Sequence, residues 1–148
     1  MSVPREVSAE NVHGTSVACD GRAVLLTGPS GTGKSDLALR LLDRGFRLVS
    51  DDQTILSRAG DRLIASAPAQ IEGKMEIRGL GIVEMESRSD VPLALVVELT
   101  NAIERIPPEG RTRQILGISL PVVSIDAMTA SAPSKVALAL DRMGLAFP

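Results

Sequence analysis

A phosphate-binding loop is the clearest chemical signal in the sequence. The residues GPSGTGKS at positions 28–35 match G-x-x-x-x-G-K-[ST] at every fixed position, after a predicted strand and before a predicted helix. Glycines in the loop let successive backbone N–H groups converge on one phosphate, and the helix N-terminus adds positive partial charge. Lys34 supplies a charge for the β- and γ-phosphates, and Ser35 supplies a hydroxyl for Mg²⁺. The predicted nucleotide-binding residues are Gly28, Pro29, Ser30, Gly31, Thr32, Gly33, Lys34 and Ser35.

The loop alone does not distinguish a kinase from an ATPase or a GTPase. The sequence lacks an N-K-x-D guanine-binding signature, which argues against a GTPase switch. A glycine turn that binds nothing is the other interpretation, and the complete motif in its strand–helix context argues against it.

Two adjacent carboxylates, Asp51 and Asp52, close the second apolar stretch after the loop, FRLVS. Ligands collect at the carboxyl edge of a parallel sheet, so we expect these side chains to face the transferring phosphate. One acid can bind Mg²⁺, and the other can accept a proton from an attacking hydroxyl. Neighbours in an extended chain point to opposite faces, so the two cannot do the same job equally well. A polar turn is the alternative interpretation.

A rival metal ligand is Glu98, which ends the apolar run LALVV and so has the shape of a Walker B strand. From the pattern alone it has nearly the same weight as the aspartate pair. Its alternative is an alternating strand residue that faces water.

The order of predicted elements favours a mixed α/β sheet in a single domain over residues 1–148. A buried strand at RAVLLTG leads through the loop into a helix over 32–44, with Gly45 after its last turn, and FRLVS is the next strand. Further strands are predicted at QTILSRAGDRLIASAP as a hairpin, at LALVVELT, and at QILGISLPVVSID.

Two later stretches carry more specific predictions. Gly79 and Gly81 interrupt the alternating run KMEIRGLGIVEM, which predicts a bulge or a loop where the backbone approaches a ligand. The stretch SAPSKVALALDRMG predicts a C-terminal helix with Ser131 as its cap and Gly144 as its stop.

Composition excludes several other classes of function. Only two of 148 residues are aromatic and the formal net charge is −2, which argues against nucleic-acid binding. The single cysteine, Cys19, fits a reducing compartment and is interpreted as a small residue filling a strand or turn. No apolar run reaches membrane-spanning length and no signal peptide is evident, so we expect a cytoplasmic protein that does not enter a membrane.

Three blocks resemble the catalytic domain of HPr kinase/phosphorylase: VHG at 12–14, the stretch 28–52, and MEIRGLGIVE at 75–84. The similarity runs over about 13–126. The resemblance implies a mixed-sheet P-loop kinase fold related to that of phosphoenolpyruvate carboxykinase. It also implies ATP and Mg²⁺ as cofactors and a serine of an HPr-type phosphocarrier protein as the substrate.

The resemblance also implies roles for individual residues. Asp52 would be the catalytic acid/base, taking the proton of the target serine in the kinase direction and returning one in phosphorolysis. Asp51 would assist as a neighbouring carboxylate. Lys34 and Ser35 would be the phosphate and Mg²⁺ residues. Glu76 would be a second Mg²⁺ ligand, which argues against Glu98.

Two further positions match the family. His13 matches its active-site histidine and would hold the Asp52 carboxylate or contact phosphate. Arg105 lies where the family places an arginine that neutralises transferring phosphate, with Arg111 and Arg113 as competitors.

Departures from the family define the remaining expectations. The sequence resembles its short members, which consist of the catalytic domain only. The segment near 124–130 lacks the basic and Asn character associated with phosphorolysis, which argues against that activity, and the helix used for docking HPr would be represented only by 132–143. Self-association through the EIRGLGIVEM block or the C-terminal helix stays open.

Two functions of other classes also stay open. A small-molecule kinase would use the same loop, with EGRTRQ at 109–114 as its only candidate for an arginine-bearing lid. A nucleotide-sensing module would bind ATP without turnover.

Overall fold

The computed structural model describes residues 8–148, which form eleven strands, two α-helices and one short 3₁₀ turn. The strands are β1 (Ala9–His13), β2 (Thr15–Cys19), β3 (Arg22–Thr27), β4 (Arg47–Ser50), β5 (Gln53–Ala59), β6 (Arg62–Ser66), β7 (Lys74–Ile77), β8 (Gly81–Glu84), β9 (Val91–Leu99), β10 (Thr112–Ile115) and β11 (Ile118–Ile125). The helices are α1 (Lys34–Leu42) and α2 (Ala132–Met143), and the 3₁₀ turn is Ala69–Ile71.

Nine strands form one curled mixed sheet in the order β1-β5-β6-β9-β3-β2-β4, with β11 on β9 and β10 on β11. Strand β9 runs parallel to β3 and β11, whereas the other pairs are antiparallel. The first residues of β9 pair with β6 and its last residues pair with β11. The predicted mixed α/β class is therefore confirmed.

Both faces of the central strands are buried, which explains their unbroken apolar sequences. Along β3, Val24 and Leu26 face the cluster that contains α1 and α2, whereas Ala23 and Leu25 face a second cluster built from sheet residues. The core is aliphatic, as the composition requires, and Phe46 is its one buried aromatic residue among those described.

The phosphate-loop helix is shorter than predicted. It begins at Lys34 rather than at position 32, because Gly33 adopts the left-handed conformation with φ 92° and serves as the N-cap. Its last helical residue is Leu42, and Gly45 follows with φ 95°, in agreement with its predicted place after the last turn.

The predicted bulge at Gly79 and Gly81 is wrong, because β7 and β8 pair without a shift of register. The alternative, a loop where the backbone approaches a ligand, stays a prediction. The strands β7 and β8 form a separate two-stranded hairpin, and both glycines lie at its turn with φ 91° and 89°. The turn requires a left-handed backbone at these positions, which glycine adopts without a steric penalty.

The N-terminal cap of α2 differs from the prediction. Ser131 occupies the N-cap position of α2, but its side chain makes no capping hydrogen bond, since its backbone is already helical at φ −82° and ψ −3°. Gly144 does end the helix, in an extended conformation.

Two observations bear on the compositional predictions. Cys19 is the last residue of β2, where burial, followed by the nearby Asp20, raises the pKa of its thiol. Among residues 8–148, none of the helices has the length and apolarity needed to cross a membrane.

Candidate active site

The phosphate loop connects β3 to α1 at the carboxyl end of β3. Its three glycines all have positive φ: 146° at Gly28, 84° at Gly31 and 92° at Gly33. A Cβ at Gly28 would lie 2.9 Å from Thr32 Oγ1 and 3.0 Å from the carbonyl oxygen of Leu99, so a side chain there would clash with backbone. The positive φ angles favour glycine at all three positions, which explains why this sequence forms the predicted loop.

Lys34 is 8% exposed and its ammonium group lies inside the loop. Its Nζ donates hydrogen bonds to the carbonyl oxygens of Gly28, at 2.6 Å, and Pro29, at 3.1 Å. Within the described part of the chain no carboxylate pairs with this cation. A positive charge held by neutral carbonyl groups is suited to an incoming phosphate.

Asp51 lies directly beside the loop and is 8% exposed. One carboxylate oxygen, Oδ1, accepts hydrogen bonds from Ser35 Oγ at 2.8 Å and Thr15 Oγ1 at 3.2 Å. The other, Oδ2, accepts one from the backbone N–H of Glu76 at 3.1 Å. This contact between a loop serine and a strand-terminal carboxylate is the arrangement with which P-loop enzymes hold Mg²⁺.

Asp52 has the opposite environment, because its side chain is 65% exposed. Its Oδ1 lies 2.8 Å from Nε2 of His13, whose side chain is 57% exposed. His13 reaches it because β1 pairs with β5 in a register that sets His13 opposite Gln53. The next residue, Gly14, donates its backbone N–H to the carbonyl oxygen of Asp52 at 2.8 Å.

A cavity of about 430 Å³ opens in front of the two aspartates. Its other walls include the 3₁₀ turn and the β7–β8 hairpin, through Ile71, Glu76 and Ile82. Glu76, the predicted second Mg²⁺ ligand, is exposed and lines the same cavity as the two carboxylates. The predicted acid/base and one predicted metal ligand therefore line one opening, and the other metal residue, Ser35, is linked to it through its hydrogen bond to Asp51.

The rival Glu98 is already occupied by another partner. It lies opposite Thr27 in the β3–β9 pairing, so it ends near the phosphate loop as its pattern predicts. However, its Oε2 accepts a hydrogen bond of 3.0 Å from Arg111, which also donates to Ser124 Oγ at 2.8 Å. Ser35 contacts Asp51 instead, which favours the aspartate as the cation ligand.

The three arginine candidates differ in their surroundings. Arg111 is held by Glu98 and Ser124, and Arg113 is an exposed residue of β10. Arg105 lies in the exposed loop 101–110 and makes none of the side-chain hydrogen bonds or ion pairs found among residues 8–148. Its guanidinium group therefore has no hydrogen-bond or ion-pair partner among residues 8–148.

The segment 124–130 lies against the phosphate loop. A Cβ at Gly33 would be 3.3 Å from Cβ of Ala127, and Arg40 of α1 donates hydrogen bonds to the carbonyl oxygens of Ala127 and, at 3.3 Å, of Thr129. Residues 124–130 were identified as a functional segment only by resemblance to the family. In the structure they lie next to the phosphate loop and its helix.

The side chains around the aspartates also show what kind of metal ion the site could hold. Among the described residues, no group of three or more His, Cys, Asp or Glu side chains lies close enough to hold an ion. Mg²⁺ is usually held by one or two carboxylates together with substrate phosphates and water, so the Ser35–Asp51 pair fits this ion.

The comparison with protein families decides the identity of the fold. Residues 6–140 match the family model described as the HPr Serine kinase C-terminal domain. The chain belongs to this family. Since the match covers most of the chain, the phosphate loop, the aspartate pair and His13 all lie inside the HPr serine kinase domain.

Individual relatives agree with this assignment. The chain is 37% identical over 129 residues to the HPr kinase/phosphorylase of Prosthecochloris aestuarii, covering 78% of this chain and 38% of that protein. It is 34% identical over 134 residues to the HPr kinase/phosphorylase of Lactobacillus acidophilus, covering 82% and 42%. The chain thus spans about two fifths of the length of these curated relatives.

A solved structure also matches the fold. The Hpr(Ser) kinase/phosphatase from Coxiella burnetii superposes with a TM-score of 0.78 at 27% identity. The match covers 89% of this chain and 88% of that one.

The layer beneath this site was not predicted from the sequence. Four hydroxyl residues with no exposed surface lie under the aspartates: Thr15, Ser16, Ser50 and Thr54. Thr54 Oγ1 donates to the carbonyl oxygen of Gly14 at 3.0 Å and lies 2.8 Å from Ser16 Oγ, while Ser50 donates to the carbonyl oxygen of Gln53. The only available signal was that strands β2 and β4 carry polar residues where a buried strand should be apolar.

Proposed function

We propose that this chain is an ATP-dependent protein-serine kinase that phosphorylates a serine of an HPr-type phosphocarrier protein. The observation that carries the proposal is the difference in surroundings between the two neighbouring aspartates. Asp51 is buried against the loop serine, whereas Asp52 is exposed beside His13 at an open cavity. Such a site can hold a nucleotide on one side and admit a hydroxyl group of another protein from the other.

The chain's own residues would bind the nucleotide and its cation. Backbone N–H groups of the loop and Lys34 would hold the phosphates, and Ser35 with Asp51 would hold Mg²⁺, with Glu76 as its second predicted ligand. When bound, MgATP supplies the phosphoryl group, and its cation offsets the phosphate charge. Arg105 would add a positive charge from the exposed loop 101–110.

Asp52 would act as the general base. It would accept the proton of the serine hydroxyl while that oxygen forms a bond to the terminal phosphorus, the anhydride bond breaks and ADP leaves. His13 would keep the receiving carboxylate oriented. In phosphorolysis Asp52 would return a proton to the serine oxygen as inorganic phosphate takes the phosphoryl group, and two relatives carry the name kinase/phosphorylase.

Several finer predictions belong to the same proposal. They are a P-loop kinase fold related to that of phosphoenolpyruvate carboxykinase, one catalytic domain over residues 1–148, action in the cytoplasm, and no nucleic-acid partner. Self-association would use exposed apolar side chains of α2, such as Leu138 and Met143. Sedimentation velocity over a range of protein concentrations measures it directly.

The test is phosphorylation of an HPr-type protein. The chain is incubated with ATP, Mg²⁺ and the carrier, and mass spectrometry locates the added phosphate. We expect one phosphoserine that forms only when ATP and Mg²⁺ are both present. Absence of phosphoserine under every condition would reject the proposal. A second incubation of the product with excess inorganic phosphate measures reversal.

A small-molecule kinase is the second candidate, because a cavity of about 430 Å³ is also large enough for a metabolite. The same assay separates the two functions when a mixture of small hydroxyl-bearing metabolites replaces the carrier. Phosphorylation of a metabolite without any transfer to the carrier would favour this candidate.

A further inference from the structure

We propose that Thr15 is a positioning residue that gives the two aspartates their different roles. Its hydroxyl contacts the side chain of Asp51 and the backbone of Asp52 at the same time. The role rests on the proposed function, because the position of Asp52 affects a rate only if Asp52 takes part in the reaction. Thr15 itself touches no reacting atom, since it has no exposed surface.

The direction of both hydrogen bonds follows from the groups involved. The Asp52 N–H, 3.1 Å from Thr15 Oγ1, can only donate, so the hydroxyl oxygen accepts from it. The hydroxyl proton of Thr15 therefore remains for the Asp51 carboxylate oxygen, 3.2 Å away, which accepts it. Both contacts are satisfied by one rotamer of the hydroxyl, which links the two acids through one atom.

Asp52 needs this support because its backbone is strained. Its φ is 68°, and the N–H of Gln53 bonds back to the carbonyl oxygen of Asp51 at 2.7 Å. A bond from residue i+2 to residue i across a positive φ defines the rare form of γ-turn. Strained turns of this kind persist only where surrounding contacts over-determine them, and they concentrate at active sites.

Three consecutive residues supply those contacts. His13 binds the Asp52 carboxylate, Gly14 donates to its carbonyl oxygen, and Thr15 accepts from its N–H. Loss of the Thr15 hydroxyl would leave the backbone N–H of Asp52 without its partner. The turn at Asp52 would then relax to a more common backbone conformation. The carboxylate of Asp52 would then move from the place where His13 holds it.

The strand around Thr15 fixes its hydroxyl in turn. Strand β2 lies between β3 and β4, with Thr15 opposite Leu26 and Ser16 opposite Ser50. A β-branched side chain on a buried central strand has few accessible rotamers. The Thr15 hydroxyl therefore has a fixed position, and the turn that follows β4 binds to it.

The first test compares Thr15→Val, which keeps the shape and removes the hydroxyl, with Thr15→Ser, which keeps the hydroxyl. We expect Thr15→Val to lower kcat for transfer to the carrier by roughly 100-fold, as a small misplacement of a catalytic group does. Binding of a fluorescent ATP analogue should change much less, and Thr15→Ser should retain most of kcat. Equal losses in both variants, or none in Thr15→Val, would overturn the assignment.

A spectroscopic readout distinguishes positioning from general destabilisation. His13 is the only histidine of the chain, so untagged protein gives one set of imidazole NMR signals. At one fixed pH, the signals of Thr15→Val should move toward those of Asp52→Asn, whereas those of Thr15→Ser should stay near the wild-type positions. Unmoved signals in a folded Thr15→Val protein would contradict the proposal.

Amide exchange in the wild-type chain tests the same contact without any mutation. We expect the Asp52 N–H to exchange at least ~100-fold more slowly than an exposed amide, because Thr15 holds it. Exchange at the rate of an exposed amide would overturn the proposal even if Thr15→Val fails to fold. If the wild-type chain transfers no phosphate, the proposed function fails, while amide exchange and the His13 signals still decide whether Thr15 holds Asp52 in place.

Discussion

Residues 51 and 52 have the same side chain and opposite surroundings. Asp51 receives hydrogen bonds from Ser35, Thr15 and the backbone of Glu76, so its carboxylate is held beside the loop. Among residues 8–148, the side chain of Asp52 contacts only His13 and is exposed, so its remaining lone pairs are available to a hydroxyl group. The chemistry of the pair thus depends on environment rather than on residue type.

The contact between His13 and Asp52 predicts a modest effect of His13 on the rate. A hydrogen bond to a charged group contributes about 1.5 kcal/mol at the lower end of its range, which corresponds to roughly a tenfold change in rate. We apply the lower end because both side chains are more than half exposed. We expect His13→Ala to lower kcat by about tenfold with little change in KM for ATP.

The matched control is His13→Gln, whose amide can still donate to Asp52. Steady-state kinetics on the three proteins measures the effect. A loss in His13→Gln as large as that in His13→Ala would show that His13 does more than orient the carboxylate.

At the scale of elements, the phosphate loop and its helix were predictable because a local motif specifies them. The glycines, the lysine and the serine lie within eight residues, and their roles follow from backbone geometry. The approach of His13 to Asp52 spans 39 residues and depends on the β1–β5 register, which no local pattern encodes. Strands β1 and β2 were not predicted, and Thr15 was missed with them.

The backbone of the loop predicts the effect of Gly33→Ala. The position has φ 92°, and a new Cβ would lie 3.3 Å from Cβ of Ala127. We expect the free energy of unfolding to fall by roughly 1 kcal/mol, because alanine is strained in the left-handed backbone. We also expect weaker binding of ATP, because the new Cβ displaces the loop. Thermal unfolding and titration with a fluorescent ATP analogue measure the two effects.

Gly45→Ala at the other end of α1 is the control for Gly33→Ala. It has a similar φ of 95°, but a Cβ there meets nothing within 4 Å. A similar loss of stability with unchanged ATP binding is expected. Equal weakening of ATP binding in both variants would show that strain in the helix, rather than the shape of the loop, controls the affinity.

At the scale of the whole molecule, one sheet edge brings together parts that lie far apart in the chain. The phosphate loop follows β3, the aspartates follow β4, and His13 ends β1. Strands β3 and β4 both run antiparallel to β2, so their carboxyl ends meet at the same edge, as predicted from the sequence for a parallel pair. The antiparallel strand between them was not foreseen, and it is the strand that carries Thr15.

Single-turnover transfer from ATP to the serine of an HPr-type protein, measured for the wild-type chain and for Asp52→Asn, tests the central claim most directly. Asparagine keeps the size of the side chain and cannot take up the hydroxyl proton, so the account predicts a fall in the transfer rate of roughly 10²–10⁴-fold. Binding of a fluorescent ATP analogue, measured on the same samples, should stay within about threefold of wild type. A transfer rate in Asp52→Asn close to that of the wild-type chain would contradict the account.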